Sequence, residues 1–188
     1  MKDNILSYVY GTLFSPIKTF DKIINNSAPK VFESLCIVVI VSFIATLGFF
    51  DSDSLLYLGL FIIANIIFGV ISWVLVALVI NLLGWVFSKK FNINMLLTLT
   101  GFSILPWLLV PTISLFKTMG IVGIFLSVFL NILIWIWTII LFILAVSKGS
   151  NLSIAKTILL LITPFIGTVV TLTWISGFFS NIIYFLAG

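Results

Sequence analysis

The side chains able to do chemistry are few in this 188-residue chain. It holds nine lysines, no arginine and five acids, Asp3, Asp21, Glu33, Asp51 and Asp53. It contains no histidine, which removes imidazole bases, His-containing triads and His metal ligands. Cys36 is the single cysteine, so no intrachain disulfide or thiolate cluster can form, and its apolar surroundings read as those of an inert thiol. No acid or lysine lies in the middle of an apolar run, where proton- and ion-coupled transporters carry the ionisable groups that define their pathway. Glu33, three residues from Lys30, reads as an interfacial carboxylate, solvated or paired, rather than a relay. A membrane hydrolase or transferase needs a nucleophile with a base, or paired carboxylates, and neither can be assembled. We therefore expect no enzyme activity, no cofactor and no metal. The excess of lysine is small and scattered, which argues against nucleic acid as a partner.

What remains is uncharged polarity inside apolar runs. Asn65, Asn81, Asn131 and Asn181 suit interhelical hydrogen bonding better than ligand recognition. Asn65, Thr100 and Asn131 are the candidates for lining a cavity. Pro106 and Pro111 each remove a backbone donor and free a carbonyl one turn back, which Thr98, Thr100, Ser103 or Thr112 could satisfy. Pro106, Pro111 and Pro164 are expected kink sites, and Trp137 a packing residue. Small residues recur at close-packing spacing at Ser42, Ala45 and Gly48, at Gly84 and Ser88, at Thr163, Gly167 and Thr171, and at Ser176 and Ser180.

The elements that must hold these residues follow from composition. Hydrophobic residues make up 62% and charged ones 7%, with a mean hydropathy of +1.39. Fourteen charges could not cover a soluble fold of this size. The fold class is all-α, a polytopic membrane helix bundle. Crossing a hydrocarbon core takes about 20 apolar residues, and five stretches qualify, at about 31–50, 55–87, 95–116, 120–146 and 154–186. Together they make a transmembrane domain over 31–188. The second and fifth are long, and a re-entrant part at the start of one or past Gly177 in the other stays open.

Residues 1–30 form an arm with no cleavable signal pattern. Ser15-Pro16 opens an eleven-residue helix over about 16–26. Ile17, Phe20, Ile23 and Ile24 fall on one face and Lys18, Asp21, Lys22 and Asn25 on the other. Such a helix suits the membrane interface, and Pro16, Phe20 and Lys22 are candidates for docking a partner. A cytoplasmic N-terminus puts eight of nine lysines inside, leaving Lys117 outside with Asp51 and Asp53. The loops at Ser88–Asn94 and Ser147–Ser153 echo each other at an offset of 59, with Asn92 or Asn94 and Asn151 or Ser153 as N-caps.

Pro16-Ile17-Lys18-Thr19-Phe20, Gly101-Phe102-Ser103-Ile104-Leu105-Pro106, and Trp137-Thr138 with the Lys148–Ser153 loop resemble, in order, the Yip-domain family of five-span membrane proteins. The resemblance implies an adaptor rather than an enzyme. Its eukaryotic members associate with prenylated small GTPases and with each other, and carry a long soluble segment before the first span. The thirty-residue arm departs from that pattern and makes a GTPase the less favoured partner. The chain is closer to short prokaryotic members, some of which resemble accessory subunits of ABC-type exporters. Abundant Ile, Asn and Lys with no Arg fits an AT-rich prokaryotic genome, hence a cytoplasmic membrane. The expected partners are the lipid bilayer, other membrane proteins and a second copy of the chain. The expected role is a scaffold or accessory subunit of a membrane complex. The alternative is a permease or channel-like component for an apolar or lipid-like solute.

Overall fold

The structure, a computed structural model, describes residues 5–26, 31–49, 55–84 and 91–164. All regular structure among them is helical. The helices are α1 (Ile5–Phe14), α2 (Pro16–Asn25), α3 (Val31–Phe49), α4 (Leu55–Gly84), α5 (Ile93–Ser103), α6 (Val110–Ser114), α7 (Gly120–Ser150) and α8 (Ile154–Pro164). Two 3₁₀ segments, Leu105–Leu109 and Leu115–Met119, flank α6. Among the described residues, three stretches are long and apolar enough to cross a membrane: Val31–Gly48, Tyr57–Gly84 and Ile93–Ser150.

The last of these, 58 residues long, folds back on itself. Gly120 has φ 74°, and there the chain reverses. Nested contacts follow: Leu96 and Leu99 lie against Gly149, the Trp107 and Trp135 rings meet edge to face at 4.9 Å, and Val110 clusters with Ile134. The segment 93–119 thus runs antiparallel to α7. It runs antiparallel to α4 as well, since Gly84 meets Phe91 and Trp73 meets Thr100. It runs parallel to α3, because Ser34 meets Thr98 and Gly48 meets Pro111. The direction therefore alternates from one long segment to the next, as expected. Helix α4 is continuous over thirty residues, about 45 Å at 1.5 Å per residue, so its start is not re-entrant. The fifth expected span begins as α8, and its continuation, including Gly177, Asn181 and the small residues from Gly167 to Ser180, lies outside the described residues, as do Ser88, Lys89 and Lys90.

Small residues let α4 and the segment 93–119 approach α3 closely. A methyl group at Gly48 would stand 2.9 Å from the Pro111 nitrogen, one at Gly69 2.5 Å from the Ser42 hydroxyl, and one at Gly101 2.6 Å from Ser34 Cβ. Such approaches replace the hydrophobic drive that is missing between helices in lipid. The outward faces of α4 and α7 stay apolar and exposed, from Phe68 and Leu82 to Phe125 and Phe129, as a lipid-facing surface requires.

The prolines do more than kink the third span. Proline lacks the N–H and clashes with the carbonyl one turn back, so α5 ends before Pro106, and Pro111 restarts an α-turn five residues later. Ser103 donates to the Thr100 carbonyl at 2.6 Å, and Ser114 to that of Pro111 at 2.6 Å. Pro164 is the final described residue of α8. One further boundary differs from expectation, while the N-caps are among those expected. Helix α7 runs four residues further, to Ser150, and Asn151 ends it in the left-handed conformation (φ 52°), with the Leu152 amide returning to the Ser147 carbonyl at 3.1 Å. Asn92 caps α5, its side chain accepting from the Asn94 and Met95 amides, whereas Ser153 accepts from Lys156 at the start of α8. The caps fall two residues out of register with the 59-residue echo.

Candidate functional site

The polar residues inside the bundle are largely engaged by their own helices. Asn65 donates to the Phe61 carbonyl at 2.9 Å, Asn131 to Ser127 at 2.8 Å, Thr138 to Ile134 at 2.8 Å and Thr98 to Asn94 at 2.8 Å. In hydrocarbon a side chain without water folds back on the nearest carbonyl. Between helices, Ser34 donates to the Thr98 carbonyl at 2.8 Å and the Trp73 indole N–H to the Thr100 hydroxyl at 3.1 Å. Thr100 donates its own hydroxyl hydrogen bond to the Leu96 carbonyl at 2.7 Å, so both partners of this pair are satisfied within the packing.

A cavity of about 480 Å³ lies where α3, α4 and α5 meet, and it extends to Trp107 and Phe142. Val38, Val41 and Ala45 form one wall and Phe68, Trp73 and Val76 the other. Asn65 and Thr100 both line it, so the structure brings these two candidates together. Asn131 is on α7 and does not line it. The volume is that of a small-molecule site, and the lining is mainly apolar, with Ser42, Thr46, Asn65, Ser72 and Thr100 as its polar side chains. Among the described residues, no group of three or more Cys, Asp or Glu stands close enough to hold a metal ion.

The second candidate region is the arm. Residues 5–26 form a tight antiparallel pair, α1 and α2, turned at Ser15. Gly11 faces Thr19, and Tyr8 faces Lys22 and Asn26. Pro16 takes the first helical position as expected, but the Ser15 side chain makes no cap bond; its carbonyl accepts from the Thr19 amide and hydroxyl instead. Phe20 and Ile23 of α2 are fully buried with Tyr8 of α1 among Ile37, Leu99, Phe102 and Ala145. Phe20 is therefore not exposed for a partner: its ring holds the arm to the bundle. Ile17, expected on the same face, is half exposed because the inward stripe is narrower than the sequence pattern. Lys22 stands over the Tyr8 ring at 5.9 Å, within cation–π reach. Asp21 accepts from Lys148 at 2.7 and 2.9 Å, tying α2 to the last turn of α7.

Tyr8, the Asp21–Lys148 pair, Trp73 and Trp135 escaped the sequence reading. The run Ile5–Phe14 is apolar, uncharged and too short to span, and Tyr8 and Thr12 at i, i+4 were its available helical signal. No local pattern signals an ion pair across 127 positions. Trp137 is 37% exposed on α7, and Trp135, 55% exposed, meets the Trp107 ring edge to face.

Compared with protein families, the chain matches the Yip1 domain over residues 10–175. Comparison with curated proteins and with solved structures finds no match.

Proposed function

The chain belongs to the Yip1-domain family, and from that premise we propose that it is a non-enzymatic scaffold or accessory subunit that works through contacts with other membrane proteins. The observation that carries this reading is the internal use of the intramembrane polar groups. Asn65, Asn131, Thr98 and Thr138 all donate to carbonyls of their own helices, and of these four Asn65 alone lines the cavity between α3, α4 and α5. The partner that fits best is an integral membrane component such as the transmembrane subunit of an ABC-type exporter; a small GTPase fits less well. Self-association of this chain is a further outcome to be scored. We orient the protein with its arm in the cytoplasm of a prokaryotic cell, because Lys18, Lys22, Lys148 and Lys156 lie at the arm's end of the bundle and Lys117 at the other.

The cavity favours a second reading, a permease for an apolar or lipid-like solute, with Asn65 and Thr100 at its wall. Purification of the tagged chain from its own membrane in mild detergent separates the two. The scaffold reading expects one membrane protein at fixed stoichiometry, retained in Asn65→Leu and Asn131→Leu. A chain that purifies alone from its membrane would count against it.

A further inference from the structure

We infer that α1 is embedded in the acyl-chain layer of one leaflet, with its face of Leu6, Tyr10 and Phe14 turned to lipid, while α2 keeps the headgroup level above it. The two helices of the arm differ in kind. Helix α2 carries Lys18, Asp21 and Lys22 and packs on α7 and α5 at the end marked by the Asp21–Lys148 pair. Helix α1 has no charged residue and reaches past α5 to the 3₁₀ segment Leu105–Leu109. Leu105 lies twelve residues into the segment that starts at Ile93, about 18 Å along it at 1.5 Å per residue. The polar layer on each side of a membrane is only about 5–7 Å deep. An element touching Leu105–Leu109 from outside the bundle therefore lies at hydrocarbon depth.

The inward face of α1 is fixed by the buried Tyr8 and Thr12, with the Tyr8 ring edge-on to Phe102. That leaves Leu6 at 67%, Tyr10 at 66% and Phe14 at 69% exposure on the opposite face, with the Tyr10 and Phe14 rings 4.6 Å apart. Ile17, 52% exposed just after the Ser15 turn, extends the same apolar strip. The strip continues the lipid-facing surface of the bundle, which at the arm's end includes Phe32 of α3. Backbone at that depth must be satisfied internally. At its C-terminal end α1 meets the demand, because the Ser15 amide returns to the Gly11 carbonyl at 2.7 Å and the Thr12 hydroxyl to the Tyr8 carbonyl at 2.7 Å.

The test uses the full chain with Cys36→Ser, reconstituted in phosphatidylethanolamine–phosphatidylglycerol vesicles. Nitroxide labels are placed singly by Leu6→Cys, Tyr10→Cys, Phe14→Cys and Lys18→Cys, with Phe129→Cys on α7 as the lipid-facing reference. Collision rates with dissolved oxygen and with a water-soluble nickel chelate are read. The expected ratio of oxygen to nickel collisions at positions 6, 10 and 14 is several-fold above that at 18 and close to that at 129. Nickel-favoured collisions at 6, 10 and 14 would overturn the inference by placing the face in water. Low rates with both reagents would overturn it too, by showing the face covered by protein, whether a second copy or another chain.

Discussion

At the end of the bundle that carries the arm, helix α2 presses Phe20 and Ile23 into a core shared with α3, α5 and α7, and Asp21 grips Lys148. At the opposite end the chain turns at Gly120 through short 3₁₀ pieces, with Leu115, Met119, Ile121 and Val122 all turned outward. The arm's end carries Lys18, Asp21, Lys22 and Lys148 and is closed by long-range packing, whereas the other is closed by local turns. Local opening costs least where few buried contacts cross. The arm's end is therefore the fixed part of the molecule and the Gly120 turn the part that opens first.

The largest test of that contrast is Phe20→Ala. A fully buried ring lost from a core costs about 3–5 kcal/mol, and we expect a matching loss in reversible unfolding in mild detergent, with the arm becoming open to protease. Leu115→Ala at the other end should stay within about 0.5 kcal/mol. The next largest effect concerns helix approach. Gly101→Val drives a side chain into Ser34 and should cost about 1–3 kcal/mol, whereas Gly59→Ala, which meets nothing within 4 Å, should not destabilise. Smaller still is the coupling of Asp21 with Lys148. Both side chains are partly exposed, at 46% and 33%. A double-mutant cycle with Asp21→Asn and Lys148→Met should give about 0.2–1 kcal/mol, shrinking as salt is added. Thr100→Val removes the acceptor of the Trp73 indole and should cost about 0.6 kcal/mol, visible as a shift in tryptophan emission before any change in unfolding.

Much of this architecture is legible in the sequence because lipid imposes a length rule. The starts of α3 and α4 fall where apolar runs begin, and Ser15-Pro16 marks the start of α2. What was not legible depends on partners far away in the chain. Phe20 reads as a surface anchor because its sequence neighbours alternate with lysine and aspartate; only the positions of Leu99, Phe102 and Ala145 turn it into a core residue. The same holds for Asp21. The break of the third span into 3₁₀ pieces is foreshadowed by Pro106 and Pro111, but the packing of Gly48 of α3 against Pro111 is not. Of the cavity candidates, Asn65 and Thr100 share a wall because α4 and α5 run antiparallel, a relation no local pattern encodes, and Asn131 is separated from them by its place on α7.

The central claim is that activity resides in contacts between this protein and others, and reconstitution of the purified chain alone tests it most directly. Liposomes holding the lone protein are assayed for flux of apolar and lipid-like solutes, with Asn65→Leu and Thr100→Val alongside. The account predicts no saturable flux above protein-free vesicles, and unchanged partner co-purification in both variants. Saturable transport by the lone chain, abolished by Asn65→Leu while its unfolding transition stays in place, would contradict it.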